Sequence, residues 1–220
     1  AWSAAHIDAS TQDLLAQDAQ YFLHQSLSSP CLNVLTHSNG IYLEDTQGRQ
    51  IMDFHGNSVH QVGYGHPKVV EASIAATRKY GAGSGSVRAI AGTMDIHLAA
   101  ENKVAEFKRV ESSLIYSAGY TVNVGLIPSL VQGKQDVIIS DELNHGSIID
   151  GVRLTKAQRA VFPHNDMAAF EQVLKEHESA DRKLVIVDGV FSMDGDICPL
   201  DELTSLAEEY NAMVMVDDCH

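Results

Sequence analysis

Four short stretches hold residues whose types and spacing could do chemistry. Asp217-Asp-Cys-His220 follows an apolar run. An aspartate at the end of a buried strand can pair with a protonated ring nitrogen, which keeps that ring able to accept electrons from a carbanion. A histidine three residues later can bond nearby. Ser140-Asp-Glu-Leu-Asn-His145 places an imidazole just before a helical stretch, where it could stack on an aromatic ring or shuttle a proton. Tyr116-Ser-Ala-Gly119-Tyr120 reads as strand, turn and helix start. Free N–H groups there make an anion site, and Gly119 leaves room for a phosphate. Asp188-Gly-Val-Phe-Ser192 offers a hydroxyl that could donate to a phenolate oxygen. Taken singly, each has a plainer reading: a hydrated strand end, one of eleven histidines on the surface, an ordinary turn, an Asp-Gly turn signal.

The elements that position these residues are legible. Apolar runs at 113–116, 136–139, 159–162, 184–187 and 212–216 predict strands, and helical stretches are predicted near 119–131, 146–156, 166–178 and 199–210. Alternating strands and helices with continuous apolar strands imply an α/β fold: a mostly parallel central sheet with helices on both faces. Ligands in such sheets bind beyond the carboxyl ends of the strands, where all four stretches fall. Upstream, residues 7–29 read as a helix and Gly40 to Phe54 as a β-hairpin turning at Thr46-Gln-Gly48. Pro67 opens a helix, residues 81–93 read as a glycine- and serine-rich loop, and Thr93 is placed to cap a helix running to about Lys108. The expected division is an N-terminal helix and hairpin arm over 1–55 and a large domain over 56–220.

Composition excludes several classes. Fifteen Lys and Arg against 29 Asp and Glu give a net charge of −14, which disfavours nucleic acid as a partner. No apolar run is long enough to cross a bilayer, and the opening residues lack the basic-then-apolar pattern of a secretory leader. Three scattered cysteines, Cys31, Cys198 and Cys219, point to a reducing, cytoplasmic compartment. No metal site is expected, because Asp217-x-x-His220 does not match the i, i+4 pair of a helical zinc motif.

From Gly40 to His220 the chain resembles the fold-type I pyridoxal-phosphate enzymes, and among them the α-oxoamine synthases, glycine C-acetyltransferase-like enzymes above all. The resemblance rests on Gly81-Ala-Gly-Ser-Gly-Ser-Val-Arg88-Ala-Ile-Ala-Gly-Thr93 with His97, Ser140-Asp-Glu-Leu-Asn-His145, Val190-Phe-Ser-Met-Asp-Gly-Asp196 and Val216-Asp-Asp-Cys-His220, in that order. It implies that residues 56–220 are part of the large domain that binds pyridoxal 5'-phosphate. Asp217 would pair with the pyridine nitrogen. His220 and Ser192 would contact the phenolic oxygen, and His145 would stack on the ring beside the amino acid. Gly119 and Tyr120 would give N–H groups to the phosphate, and Asn57 would meet the substrate carboxylate. The implied reaction joins a small amino acid to an acyl-CoA in a homodimeric enzyme. The resemblance puts the Schiff-base lysine a few dozen residues past His220 and leaves the C-terminal part of the large domain and the small domain outside the chain. Lys156 reads as a surface helix residue.

One departure bears on substrate. The family's Asn-Asn-Tyr-Leu-Gly loop is replaced by Gly56-Asn-Ser-Val-His60-Gln-Val-Gly. A fold-type I aminotransferase therefore stays open as an alternative. A serine hydrolase is a more distant one: Ile115-Tyr-Ser117-Ala-Gly119 is one residue short of a nucleophile elbow.

Overall fold

A computed structural model describes residues 8–21, 34–54, 62–83 and 87–219. They group into two compact units, Ala1–Ala91 and Gly92–His220.

The first unit holds helix α1 (Ala9–Tyr21), strands β1 (Leu35–Asn39), β2 (Tyr42–Asp45) and β3 (Gln50–Met52), and helices α2 (Pro67–Tyr80) and α3 (Arg88–Ala91). Asp8 caps α1, its carboxylate accepting from the Thr11 N–H at 3.0 Å. The expected hairpin is β2–β3. Its turn is tied by Asp45, whose carboxylate accepts from the Gln47 and Arg49 N–H groups and from Arg49 Nε. Strand β1 adds a third, antiparallel member that the hairpin reading omitted. Its sequence, Leu35-Thr-His-Ser-Asn39, has one apolar residue and so no alternation to detect. Pro67 stands in the first turn of α2 as expected.

The second unit holds α4 (Asp95–Lys108), α5 (Gly119–Leu130), β4 (Val137–Asp141), α6 (Gly146–Arg153), β5 (Gln158–Phe162), α7 (Met167–Glu176), β6 (Lys183–Asp188), α8 (Leu200–Glu209) and β7 (Met213–Asp217). The four strands form a parallel sheet in the order β5-β4-β6-β7. Two expectations are corrected. Residues 113–116 form no strand: the Ile115 N–H goes to the Glu101 carboxylate at 3.1 Å instead of to a ladder. Helix α4 is entered through Met94, whose N–H donates to His97 Nδ1 at 3.1 Å, so Thr93 stands one residue too early to cap it.

Strands β4 and β6 are apolar on both sides because both sides are covered. Val137, Ile139, Val185 and Val187 pack with Phe162, Phe170, Leu174, Leu203 and Ala207 under α7 and α8. Ile138, Leu184 and Ile186 pack with Ile127, Val131, Ile148 and Val152 under α5 and α6. The crossover from β4 to β5 thus uses one face, and those from β5 to β6 and β6 to β7 use the other. Right-handed crossovers require this when the strand order reverses. The reversal lies between β4 and β6, and that is where such sheets open a binding crevice.

Helices α5 and α6 approach closely at Gly151. A β-carbon there would stand 2.7 Å from the Asn123 carbonyl oxygen and 2.8 Å from Ile127 Cδ1, so only glycine permits the contact.

Candidate active site

A cleft lies at the carboxyl end of the sheet, lined by Gly119, Tyr120, His145, Ser147, Asp188, Asp217 and Cys219. Its volume of about 170 Å³ suits a single ring better than a drug-sized ligand. Six of its seven residues, all but Ser147, come from the four stretches singled out in the sequence.

Gly119 and Tyr120 are the first two residues of α5. Thr121 Oγ1 accepts from the Ala118 N–H at 3.2 Å, and among the described residues no acceptor meets the Gly119 or Tyr120 N–H. A β-carbon on Gly119 would meet only Cys219 Sγ, at 3.5 Å, so its missing side chain is open space above the helix end. The Tyr120 hydroxyl donates to Asp150 at 3.1 Å, and that bond, the Asp150 charge and burial push its pKa up.

His145 is the N-cap of α6. Its own N–H donates to Asp188, at the end of β6, at 2.8 Å. Asn144 locks the same corner. Its amide donates to Ser140 Oγ and to the Ile186 carbonyl, and its Oδ1 accepts from the Asp188 N–H. Strands β4 and β6 therefore fix the imidazole at the reversal point. Its Nδ1 accepts from the Ser147 N–H at 3.2 Å and lies 2.7 Å from the Ser147 hydroxyl.

Asp217 ends β7. Burial pushes its carboxyl up, but bonds from the Cys219 thiol, the Asn123 amide (2.8 Å) and the Cys219 N–H (3.2 Å), with the charge of His145, hold it below the usual carboxylate value. The same thiol is pushed up to about 11 by its bond to Asp217, by burial and by the charges of Asp217, Asp188 and Asp218. A thiol raised in this way stays protonated near neutral pH.

Ser192 is exposed on the turn after β6 and does not line the cleft. Asn57 and His220 lie outside the described residues. Sequence reasoning missed Asn123, Ser147 and Cys219. Asn123 had a faint signal, an amide one turn into an otherwise apolar helix. Ser147 had none. As for a hydrolase, the Ser117 hydroxyl faces Thr121 Oγ1 at 3.4 Å, and no described imidazole bonds to it.

A second polar cluster flanks the cleft. His164 Nδ1 lies 3.0 Å from Asp141 at the end of β4, and Nε2 lies 3.3 Å from Asp196, on the turn that carries Ser192. Phe191 meets the ring edge-on at 4.4 Å. Burial pushes the His164 pKa down, but the bonds and charges of Asp141 and Asp196 outweigh it and raise it. A raised histidine contributes stability that is fully present below its unfolded value of about 6.5 and lost as pH rises through the folded value. The His164→Gln variant is therefore expected to lose most stability relative to the parent at about pH 5.5–6 and progressively less above. Urea midpoints across pH measure this, and a gap that does not change with pH would contradict the charged pair.

The donor set fits one kind of ligand: a ring with a protonatable nitrogen facing a carboxylate kept ionised, and an anionic arm at a helix N-terminus with unfilled space. Comparison with known proteins agrees with this architecture. The model of the family "Aminotransferase class I and II" matches residues 56–220. An 8-amino-7-oxononanoate synthase 1 from Bacillus velezensis is 52% identical over 155 residues, which is 70% of this chain and 39% of that protein. An 8-amino-7-oxononanoate synthase from Alkaliphilus metalliredigens is 49% identical over 175 residues, 79% of this chain and 44% of its own. The chain thus spans about two fifths of the length of the curated relatives it matches. Both relatives are α-oxoamine synthases, as the resemblance implied, although it leaned toward glycine C-acetyltransferase within that group. Among solved structures, a serine palmitoyltransferase from Sphingomonas wittichii superposes with a TM-score of 0.75 at 30% identity, covering 95% of this chain and 51% of that one. An ornithine aminotransferase from Plasmodium yoelii, at a TM-score of 0.72 and 18% identity, shares the fold. On these grounds the chain belongs to the aminotransferase class I and II family, on its α-oxoamine synthase branch.

Proposed function

We propose that the cleft binds pyridoxal 5'-phosphate and serves an acyltransferase that condenses a small amino acid with an acyl-CoA to give an α-oxoamine. The observation that carries the reading is Asp217. It is a carboxylate held ionised at a strand end, lining the same cleft as a helix N-terminus whose Gly119 and Tyr120 N–H groups meet no acceptor among the described residues. In this reading Asp217 keeps a proton on the ring nitrogen. The Gly119 and Tyr120 N–H groups hold the phosphate, and His145 lies against the ring beside the amino acid. When bound, the cofactor's pyridinium draws electrons from the bond broken at the amino acid's α-carbon. By resemblance to the family, His220 would contact the phenolic oxygen and Asn57 the substrate carboxylate; the resemblance gives Ser192 the same contact as His220, but it stands outside the cleft. His145 and His220 are the residues taken to move protons. Cys198 and Cys219 are free thiols, in keeping with a reducing, cytoplasmic setting. A homodimer follows from the resemblance alone. Among the described residues no helix is long and apolar enough to cross a membrane.

The test is to titrate the purified protein with pyridoxal 5'-phosphate, recording visible absorbance. Release of free thiol is then measured from short and long acyl-CoAs with glycine, alanine and serine. Saturable binding with amino-acid-dependent thiol release is expected. Saturable binding with amino-group exchange between amino and oxo acids, and no thiol release, would favour the aminotransferase reading. Absence of cofactor binding would remove both.

A further inference from the structure

We propose that Asn123 is a positioning residue that couples Asp217 to His145, so that one buried amide orients the two side chains facing opposite parts of the bound ring. This deepens the proposed function and rests on it. Asn123 is 3% exposed, on the second turn of α5. Its Nδ2 lies 2.8 Å from Asp217 Oδ2 and 2.9 Å from Ser147 Oγ. An ionised carboxylate only accepts, so the atom facing Asp217 must be the amide nitrogen, and its two hydrogens are then both used.

That choice sets the direction of the next bond. Ser147 Oγ accepts a hydrogen bond from the Asn123 amide, and its own hydroxyl hydrogen is then free to donate to His145 Nδ1 at 2.7 Å. The Ser147 N–H points at the same nitrogen. With two donors aimed at Nδ1, the neutral ring carries its proton on Nε2. The order is Asp217, accepting from Asn123, which donates to Ser147, which donates to His145. The close packing of α5 on α6 at Gly151 holds the two helices at the distance this chain of bonds needs.

The test begins on the cofactor-free protein, labelled with ¹⁵N-histidine and ¹³C-aspartate. In the parent, His145 is expected as the Nε2–H tautomer. Asn123→Leu removes the donor at nearly constant volume. It should raise the Asp217 titration midpoint, mix the His145 tautomers and weaken pyridoxal 5'-phosphate binding about 10- to 100-fold. Ser147→Ala should disturb the His145 tautomer alone and leave the Asp217 midpoint in place. A residue that merely filled space would not produce this asymmetry. Should Asn123→Leu not fold, Asn123→Asp keeps the shape and must raise the Asp217 midpoint through like charge. The proposal is overturned if the Asp217 midpoint stays put in the folded Asn123 variant, or if Ser147→Ala leaves His145 unchanged. If the cofactor-free signals move as described while the parent binds no pyridoxal 5'-phosphate, the coupling stands and the cofactor reading falls.

Discussion

Asp217→Asn is expected to lower turnover by about 10³-fold or more, within the range seen for losing a positioned proton partner. The substitution keeps the shape of the side chain but cannot carry the negative charge that keeps a ring nitrogen protonated. The fold should survive, since β7 pairs with β6 through its backbone along its whole length. Cofactor binding should weaken far less than turnover, because the phosphate site at Gly119 and Tyr120 is untouched. Steady-state thiol release and a cofactor titration on the same preparation separate the two effects. Turnover within tenfold of the parent would remove Asp217 from its assigned role.

Gly151→Leu should be the most damaging single change to the fold of the second unit. Even a β-carbon meets the Asn123 backbone at 2.7 Å, and the remaining leucine atoms have nowhere to go between α5 and α6. Overpacking of this kind costs about 3 kcal/mol. It also pushes the Asn123 backbone away from Asp217, so the loss should reach the site. Denaturant unfolding monitors the first effect and cofactor affinity the second. Wild-type stability in this variant would mean that the two helices are free to separate.

The sheet was legible in the sequence because β4 and β6 are buried on both faces and read as apolar runs, 137–139 after Asp136 and 184–187. The same rule misled at 113–116. Leu114, Ile115 and Tyr116 are apolar but partly exposed, and a strand needs a neighbour as well as a composition. Strand β1 failed in the opposite way, paired but polar. The cleft was legible where one residue at a strand or helix end does the work, as with Asp217, His145 and Gly119. Asn123 and Ser147 act through partners 94 and 24 residues away from Asn123, and no local pattern encodes such pairings. Cys219 was visible but looked incidental, since what ties it to the site is its N–H bond to Asp217, a turn contact that no sequence pattern announces.

Strands β4 and β6 are bonded on both sides, whereas β5 and β7 have one ladder each among the described residues. Amides in such doubly flanked strands exchange with deuterium only when the whole unit opens. The His145 N–H, bonded to the end of β6, should be among the slow ones. Those of Gly119 and Tyr120, left free for a ligand, should exchange at once and slow only when a phosphate occupies them. Mass spectrometry of deuterium uptake would thus separate a rigid wall from a waiting one in the same cleft.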